Sequence, residues 1–252
     1  MAEARRTIDL MWFPDAAPSR RGRRPALSVR RVVTAAIALA DAEGLDAVTM
    51  RRMAQELGVV PMTLYTYVPD KAALLDLMLD RLYLDMPRAA GHPGSWRERL
   101  AAIAADNRSL YDRHPWAAAL PASRPPLGPG LMAKYEHELT AFDGLGLDDV
   151  ETDSALTYLL GFVQASARSA ADVQAAAERS GRTDQQWWAE SGPALAMIVD
   201  PEAFPHATRI GAAAGEALGG AYQPDHAWTF GLERVLDGLG VLIERRASDA
   251  RR

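Results

Sequence analysis

The chain contains no cysteine, which excludes disulfides, thiolate metal sites and cysteine nucleophiles and makes an intracellular protein the simplest reading. No apolar run approaches the roughly 18–20 residues that a membrane span needs, so no membrane partner is expected. Met1 to Pro14 lacks the long apolar centre of a signal peptide. Alternating β-branched runs are missing, and with them the expectation of strands. There is no phosphate-cradling glycine loop, no nucleophile elbow and no HExxH. The five histidines are scattered, and His137 with Glu138 lacks the second histidine of a zinc motif. Catalytic residues, metal and cofactor are therefore not expected, and a helical enzyme is the weakest functional reading. Lysine is nearly absent as well: Lys71 and Lys134 are the only two among 28 basic residues. With abundant Ala, Gly and Pro, that arginine excess is what a high-GC coding bias produces, and it carries no function by itself.

What is present fits an ordinary globular protein of 252 residues, 48% hydrophobic and 24% charged. The formal charge of −5 is unevenly spread: residues 20–69 hold eight Arg against four acids, and residues 70–252 hold 18 basic against 26 acidic residues. A small basic head on an acidic body points to an anionic partner at one end.

Helical periodicity recurs along the chain, which predicts an all-α fold. Residues 1–26 read as an irregular, flexible basic arm, with Pro14, Pro18, Pro25 and the cluster Arg20, Arg21, Arg23 and Arg24. Inside it "IDLMWFP" (8–14) is apolar for a tail, and docking on the body or disorder are both open. Ser28 caps a first helix whose Val29, Val32, Val33, Ala36, Ile37 and Ala40 share a face, and Gly44 stops it. Thr49 caps a second helix over about 50–57. Pro61 opens a third to about 67, where its missing N–H is harmless. A fourth runs from about Asp70 to Met86. Beyond the break at Pro87, Gly91, Pro93 and Gly94, helices are expected near 95–112, 128–142, 149–179, 184–198, 201–217 and 225–246. The proline-rich stretch Pro115–Pro129 reads as a short helix plus an irregular loop.

Helix two, a three-residue turn led by Gly58, and helix three make a helix-turn-helix candidate. At about 100° per residue, Leu64 and Val68 share a core face in helix three, while Met62, Thr63 and Thr66 lie opposite. Tyr65 and Tyr67 sit on the flanks. Small side chains facing base edges, with a hydroxyl on each side for the bounding phosphates, are what a recognition helix needs. A generic short helix with two amphipathic tyrosines would show the same pattern.

The stretch "TMRRMAQELGVVPMTLYTYVPDKAALLDLML" resembles the DNA-binding domain of TetR-family transcriptional repressors over about residues 28–80, through "LGV", "TLY", Tyr67 and Lys71 followed by "ALLD". "HPW" (114–116) and "RPPLGP" (124–129) are similar to the tetracycline-repressor branch. The resemblance implies that Thr49 is a cap and phosphate contact, and that Arg51 reaches a base, with guanine as the natural target of its guanidinium. Pro61, Met62, Thr63 and Thr66 would face the groove, and Tyr65, Tyr67 and Lys71 would touch phosphates. Val60 departs from the family's polar cap, and Pro61 and Met62 cannot hydrogen-bond to bases through their side chains. Readout should lean on apolar contact, Arg51 and the threonines. Arg20, Arg21, Arg23 and Arg24 suit an arm entering the adjacent minor groove, or a solvated tail with non-specific attraction.

The resemblance further implies a larger C-terminal helical bundle for ligand binding and dimerisation, giving an arm (1–26), a DNA-binding domain with linking helix (27–86), an effector and dimer domain (87–246) and a tail (247–252). Trp228, Leu232, Val235, Leu239 and Leu242 make a coiled-coil-like seam beside Gly231 and Gly238. Leu156, Leu159, Leu160, Val163 and Ala167 make a second stripe. The resemblance pairs both with their copies in a homodimer; taken alone, both read equally well as intramolecular core. For an effector pocket, Trp116, Tyr135, Phe142, Tyr158, Phe162, Trp187 and Trp188 are the aromatic candidates. Asn107, His114, His137 and Gln164 are the polar ones. Pro87 stands where the metal-directing histidine of a magnesium–tetracycline site belongs, so a different effector, large and aromatic, is expected. The reading is a homodimeric, ligand-responsive repressor that binds a palindromic double-stranded operator. The alternative is a constitutive DNA-binding regulator without effector.

Overall fold

The computed structural model describes residues 2–14, 27–88, 91–121 and 124–249. Its described residues form twelve α-helices, two short 3₁₀ turns and no strand. The helix-turn-helix head consists of α2 (Val29–Glu43), α3 (Met50–Glu56) and α4 (Pro61–Tyr67), preceded by α1 (Ala2–Trp12). Next come α5 (Lys71–Asp85), α6 (Trp96–Arg113), α7 (Pro115–Ala118), α8 (Pro129–Leu139) and the long α9 (Asp149–Ser180). A hairpin of α10 (Asp184–Ala196) and α11 (Pro205–Leu218) leads to α12 (Pro224–Asp249). No helix among the described residues is long and apolar enough to cross a membrane.

Local chemistry sets these boundaries. Ser28 accepts the N–H of Arg31, Thr49 that of Arg52 and Asp70 that of Ala73, so each head helix start expected from a polar cap has one. α4 starts without a side-chain cap, at Val60–Pro61, and a proline there leaves fewer donors to satisfy. Gly58 holds the turn between α3 and α4 at φ +66°, in the left-handed region that favours glycine. Capping boxes start α6 and α9, through Ser95 with Glu98 and Asp148 with Glu151.

Two expectations are corrected. Residues 1–26 were expected to be irregular, but Ala2–Trp12 is a helix docked on α5. Met11 is buried against the core, Ile8 packs beside it, and the Trp12 indole donates to the Leu127 carbonyl at 2.9 Å. The apolar "IDLMW" run is therefore a docking face. Arg20, Arg21, Arg23 and Arg24 lie outside the described residues. Second, the seam of α12 and the stripe of α9 face their own protomer: Val235, Leu239, Leu156, Leu159 and Val163 are all buried in the core. Gly231 permits this close approach, because a Cβ there would run into the Phe162 ring of α9.

α5 joins head and body. It packs on α2 on one side and on α8 on the other, which explains the breadth of its buried face, from Ala73 and Leu74 through Leu77, Met78 and Leu79 to Leu82. Asp80 is the polar exception, 4% exposed. Gly128, at the cap position of α8, has no side chain to offer, and Asp80 substitutes from across the interface, accepting the N–H of Leu131 at 2.9 Å and that of Gly130. Burial raises the Asp80 carboxyl above its ordinary value, and the two backbone donors pull the other way. A Cβ at Gly130 would collide with the backbone carbonyl of Asp80, so the two helices touch backbone to backbone. A second bridge links α2 to α7: the Asp41 carboxylate meets His114 Nδ1 at 2.8 Å and accepts from Trp116 Nε1 at 2.7 Å.

Candidate nucleic-acid interface and effector cavity

α4 divides its side chains as its position on the surface demands. Leu64 and Val68 are fully buried beneath it, whereas Val60, Met62 and Tyr65 are 66%, 75% and 42% exposed. Pro61 and Thr66 are exposed, and Thr63 and Tyr67 are half-buried. The Thr66 hydroxyl donates to the Thr63 carbonyl at 2.6 Å, which holds it close to the helix. The outer surface thus combines apolar Val60, Pro61 and Met62 with Tyr65 and Thr66.

The two adjacent arginines of α3 differ. Arg52 is held by Glu43 and Glu56 at 2.9 and 3.0 Å. The Arg51 side chain is exposed and makes no ion pair or hydrogen bond with any described residue. Its five N–H donors are thus free for an acceptor outside the protomer. Thr49 is exposed, but its hydroxyl oxygen caps α3, and Lys71 lies half-buried with Nζ 3.5 Å from the Leu45 carbonyl.

In the body, α5, α6, α8, α9 and the loop after α7 line a partly open cavity of about 490 Å³, within the range that suits drug-sized molecules. Leu79, Leu120, Leu131, Leu156 and Leu160 give it apolar walls. Of the seven aromatic candidates, Tyr135 alone lines it, with its hydroxyl donating to Asp153 at 2.7 Å. Trp116 is buried but turned to Asp41, and Phe142 is core. Tyr158 is 62% exposed, Phe162 stacks on Trp228 between α9 and α12, and Trp187 and Trp188 stand on α10. Their spacing showed that they belong to helices, but not which helix face meets the void. Among the polar candidates, Asn107 and Gln164 line the cavity. His114 bridges to Asp41, and His137 lies tilted against His92 with ring centroids 4.4 Å apart.

Among the lining residues that the sequence reading did not single out are Tyr83, Tyr111 and Lys134. Lys134 is 6% exposed and pairs with buried Glu138 at 2.7 Å, while Asn107 donates to the other Glu138 oxygen at 2.6 Å. A lysine four residues before a glutamate normally reads as a solvated helix pair. The only hint was the choice of lysine at all in an arginine-rich chain.

Comparison with known proteins places these features in a family. The model described as "Bacterial regulatory proteins, tetR family" matches residues 32–78, and "Tetracyclin repressor-like, C-terminal domain" matches residues 89–243. The HTH-type transcriptional repressor DrrR1 of Streptomyces coeruleorubidus is 41% identical over 246 residues, covering 97% of this chain and 88% of that protein. Apo ActR of Streptomyces coelicolor has a similar structure, with TM-score 0.70 and 28% identity over 90% of this chain and 100% of that one. ActR in complex with actinorhodin superposes equally well, with TM-score 0.70 and 28% identity over 86% of this chain and 96% of that one.

Proposed function

The chain belongs to the tetR family of bacterial regulatory proteins, DNA-binding transcription regulators rather than enzymes, and from that premise we propose that it is a homodimeric repressor released from a palindromic operator by an aromatic small molecule. The observation that carries the reading is the pairing of an outward-facing recognition helix in the head with a separate apolar pocket in the body.

On the DNA side, Arg51 reads a guanine edge, and Pro61, Met62, Thr63 and Thr66 lie in the major groove, where exposed Met62 suits thymine methyls. Thr49, Tyr65, Tyr67 and Lys71 contact phosphates and set the register. Arg20, Arg21, Arg23 and Arg24 supply a minor-groove arm. The domain division is 27–86 for DNA and 87–246 for effector and dimer.

The dimer surface is the face of α9 and α12 that the protomer leaves uncovered. Tyr158, Phe230 and Val241 are 62%, 56% and 48% exposed there. Gly238 would meet nothing within 4 Å if it carried a Cβ, so its smallness serves no contact inside one protomer and suits a close helix from the other. The α10–α11 hairpin adds Leu195, Met197, Ile198 and Ile210, each more than half exposed, a patch that monomeric proteins rarely display.

Asp80 at the start of α8 and Asp41 at α7 connect the cavity walls to the head. A ligand that repositions α7 or α8 therefore biases the setting of α4. Moving the dimer from 99% to 1% DNA-competent needs about 10⁴-fold preference for the released state, or about 5.5 kcal/mol. The relative solved with actinorhodin and the apolar chamber here support an aromatic effector; Met86–Pro87 at the end of α5 gives a magnesium–tetracycline chelate no histidine.

The experiment is selection of random duplexes by the full-length protein at fixed salt, with Arg51→Ala and Arg52→Ala alongside. A two-fold symmetric site should emerge, with half-sites about one turn apart. Arg51→Ala should lose about 1–3 kcal/mol and relax one base position per half-site, whereas Arg52→Ala keeps the same preference. No symmetric enrichment, or binding indifferent to Arg51, refutes the reading.

A further inference from the structure

The cavity has apolar walls and one end rich in hydrogen-bond donors. Tyr83 of α5, Tyr111 of α6 and Lys134 of α8 line that end, with the Lys134 ammonium over the Tyr83 ring at 5.2 Å. Lys134 and Tyr111 are 6% and 9% exposed. Both oxygens of the nearby Glu138 carboxylate are already engaged, one by Lys134 and the other by Asn107. An ammonium carries three donors and the Lys134 ammonium uses one on Glu138, so two remain. Neither the Tyr83 nor the Tyr111 hydroxyl has a partner among the described residues. Burial pushes the Tyr111 phenol up to about 12 and Tyr83 well above its ordinary range, so both keep their protons at neutral pH. This cluster of donors with no acceptor inside the protomer lines a chamber with room for a ligand, where an incoming acceptor can satisfy it.

We propose that this end of the cavity is a carbonyl-recognition subsite for a polycyclic aromatic ketone or quinone, whose ring oxygen accepts hydrogen bonds from Lys134, Tyr83 and Tyr111. The rings lie against the leucine walls. The assignment rests on the reading of this cavity as the effector site. A free carboxylate at this end fits less well: Glu138 already balances the Lys134 charge, and a further anion beside the pair would be uncompensated, whereas a charge on the far edge of the rings can stay at the pocket's open side. An uncharged carbonyl takes the same donors without that charge.

The test uses two soluble probes with the same rings and sulfonate, anthraquinone-2-sulfonate and anthracene-2-sulfonate, titrated into the full-length protein without DNA. The wild type should bind the quinone at least about tenfold more tightly, as one or more well-made hydrogen bonds would give. Tyr83→Phe and Tyr111→Phe should each reduce the quinone's affinity about three- to tenfold and leave the anthracene within about twofold. Lys134→Met/Glu138→Gln, which removes both buried charges together, should reduce the preference further. The ratio of the two affinities is the readout, so general loosening of a variant, which moves both probes, does not mimic the effect. Equal binding of the two probes by the wild type, parallel losses in the variants, or no binding of either probe would overturn the proposal. A protein that prefers the quinone but keeps its DNA would refute release by effector and leave the subsite standing.

Discussion

Arg51 and Arg52 share a helix, a side-chain type and a backbone conformation, yet only Arg52 is tied down, by Glu43 and Glu56. At this scale function follows from what a side chain is not already doing, and a linear sequence shows that poorly. The helix caps were legible because Ser28, Thr49 and Asp70 act on donors three residues away. Lys134, Tyr83 and Tyr111 were not, because their meaning comes from three different helices meeting at one void. His137 supplies a residue-scale prediction. Burial, then His92 and Arg88, holds its imidazole below its ordinary value of 6.5. The folded chain thus binds this proton less tightly than the unfolded chain, so the stabilisation is present above pH 6.5 and drains away as pH falls through the lower folded value. Urea unfolding between about pH 7.5 and 5 should show wild type losing stability faster than His137→Gln; parallel profiles would contradict this origin.

Among the elements, existence and type were readable and orientation was not. The head helices, α7 and the long α9 follow from caps, prolines and periodicity. The 4-3-4-3 seam of α12, in contrast, turned out to face its own core, leaving Phe230 and Val241 outside. Periodicity marks an apolar stripe without saying whether its partner is in the same chain. α1 was hidden by the prolines and arginines that follow it, although its apolar residues announced a docking face. The junction of α5 and α8 is the element on which the proposed release depends, and Gly130 tests it. Adding a methyl there drives α8 from α5, since the Cβ meets the Asp80 carbonyl. Gly130→Ala should cost about 1–3 kcal/mol as an overpacked contact and weaken operator binding more than that loss of fold alone explains. Calorimetric melting with binding measured well below the transition separates the two; unchanged stability would show that the helices can part freely.

At the scale of the whole molecule, one protomer accounts for its core but not for its surface. The uncovered faces of α9 and α12 and the α10–α11 hairpin make sense when two copies associate, and two recognition helices are what a symmetric operator requires. Gly238→Glu isolates this claim. Within a protomer a Cβ at this position meets nothing within 4 Å, and replacing a mid-helix glycine favours the helix by up to about 1 kcal/mol. Sedimentation should nevertheless show the variant as a 27.4 kDa monomer with symmetric-site binding lost; a stable dimer would move the interface elsewhere.

The central claim is that filling the cavity releases DNA, and coupling between the two sites is reciprocal. The most direct measurement is the affinity of the wild-type protein for its selected duplex, with and without anthraquinone-2-sulfonate at a concentration shown by titration to fill the cavity. At least a tenfold loss of DNA affinity, matched by an equal weakening of quinone binding when DNA is bound, is the predicted result. DNA affinity that stays the same with the cavity full would contradict the account.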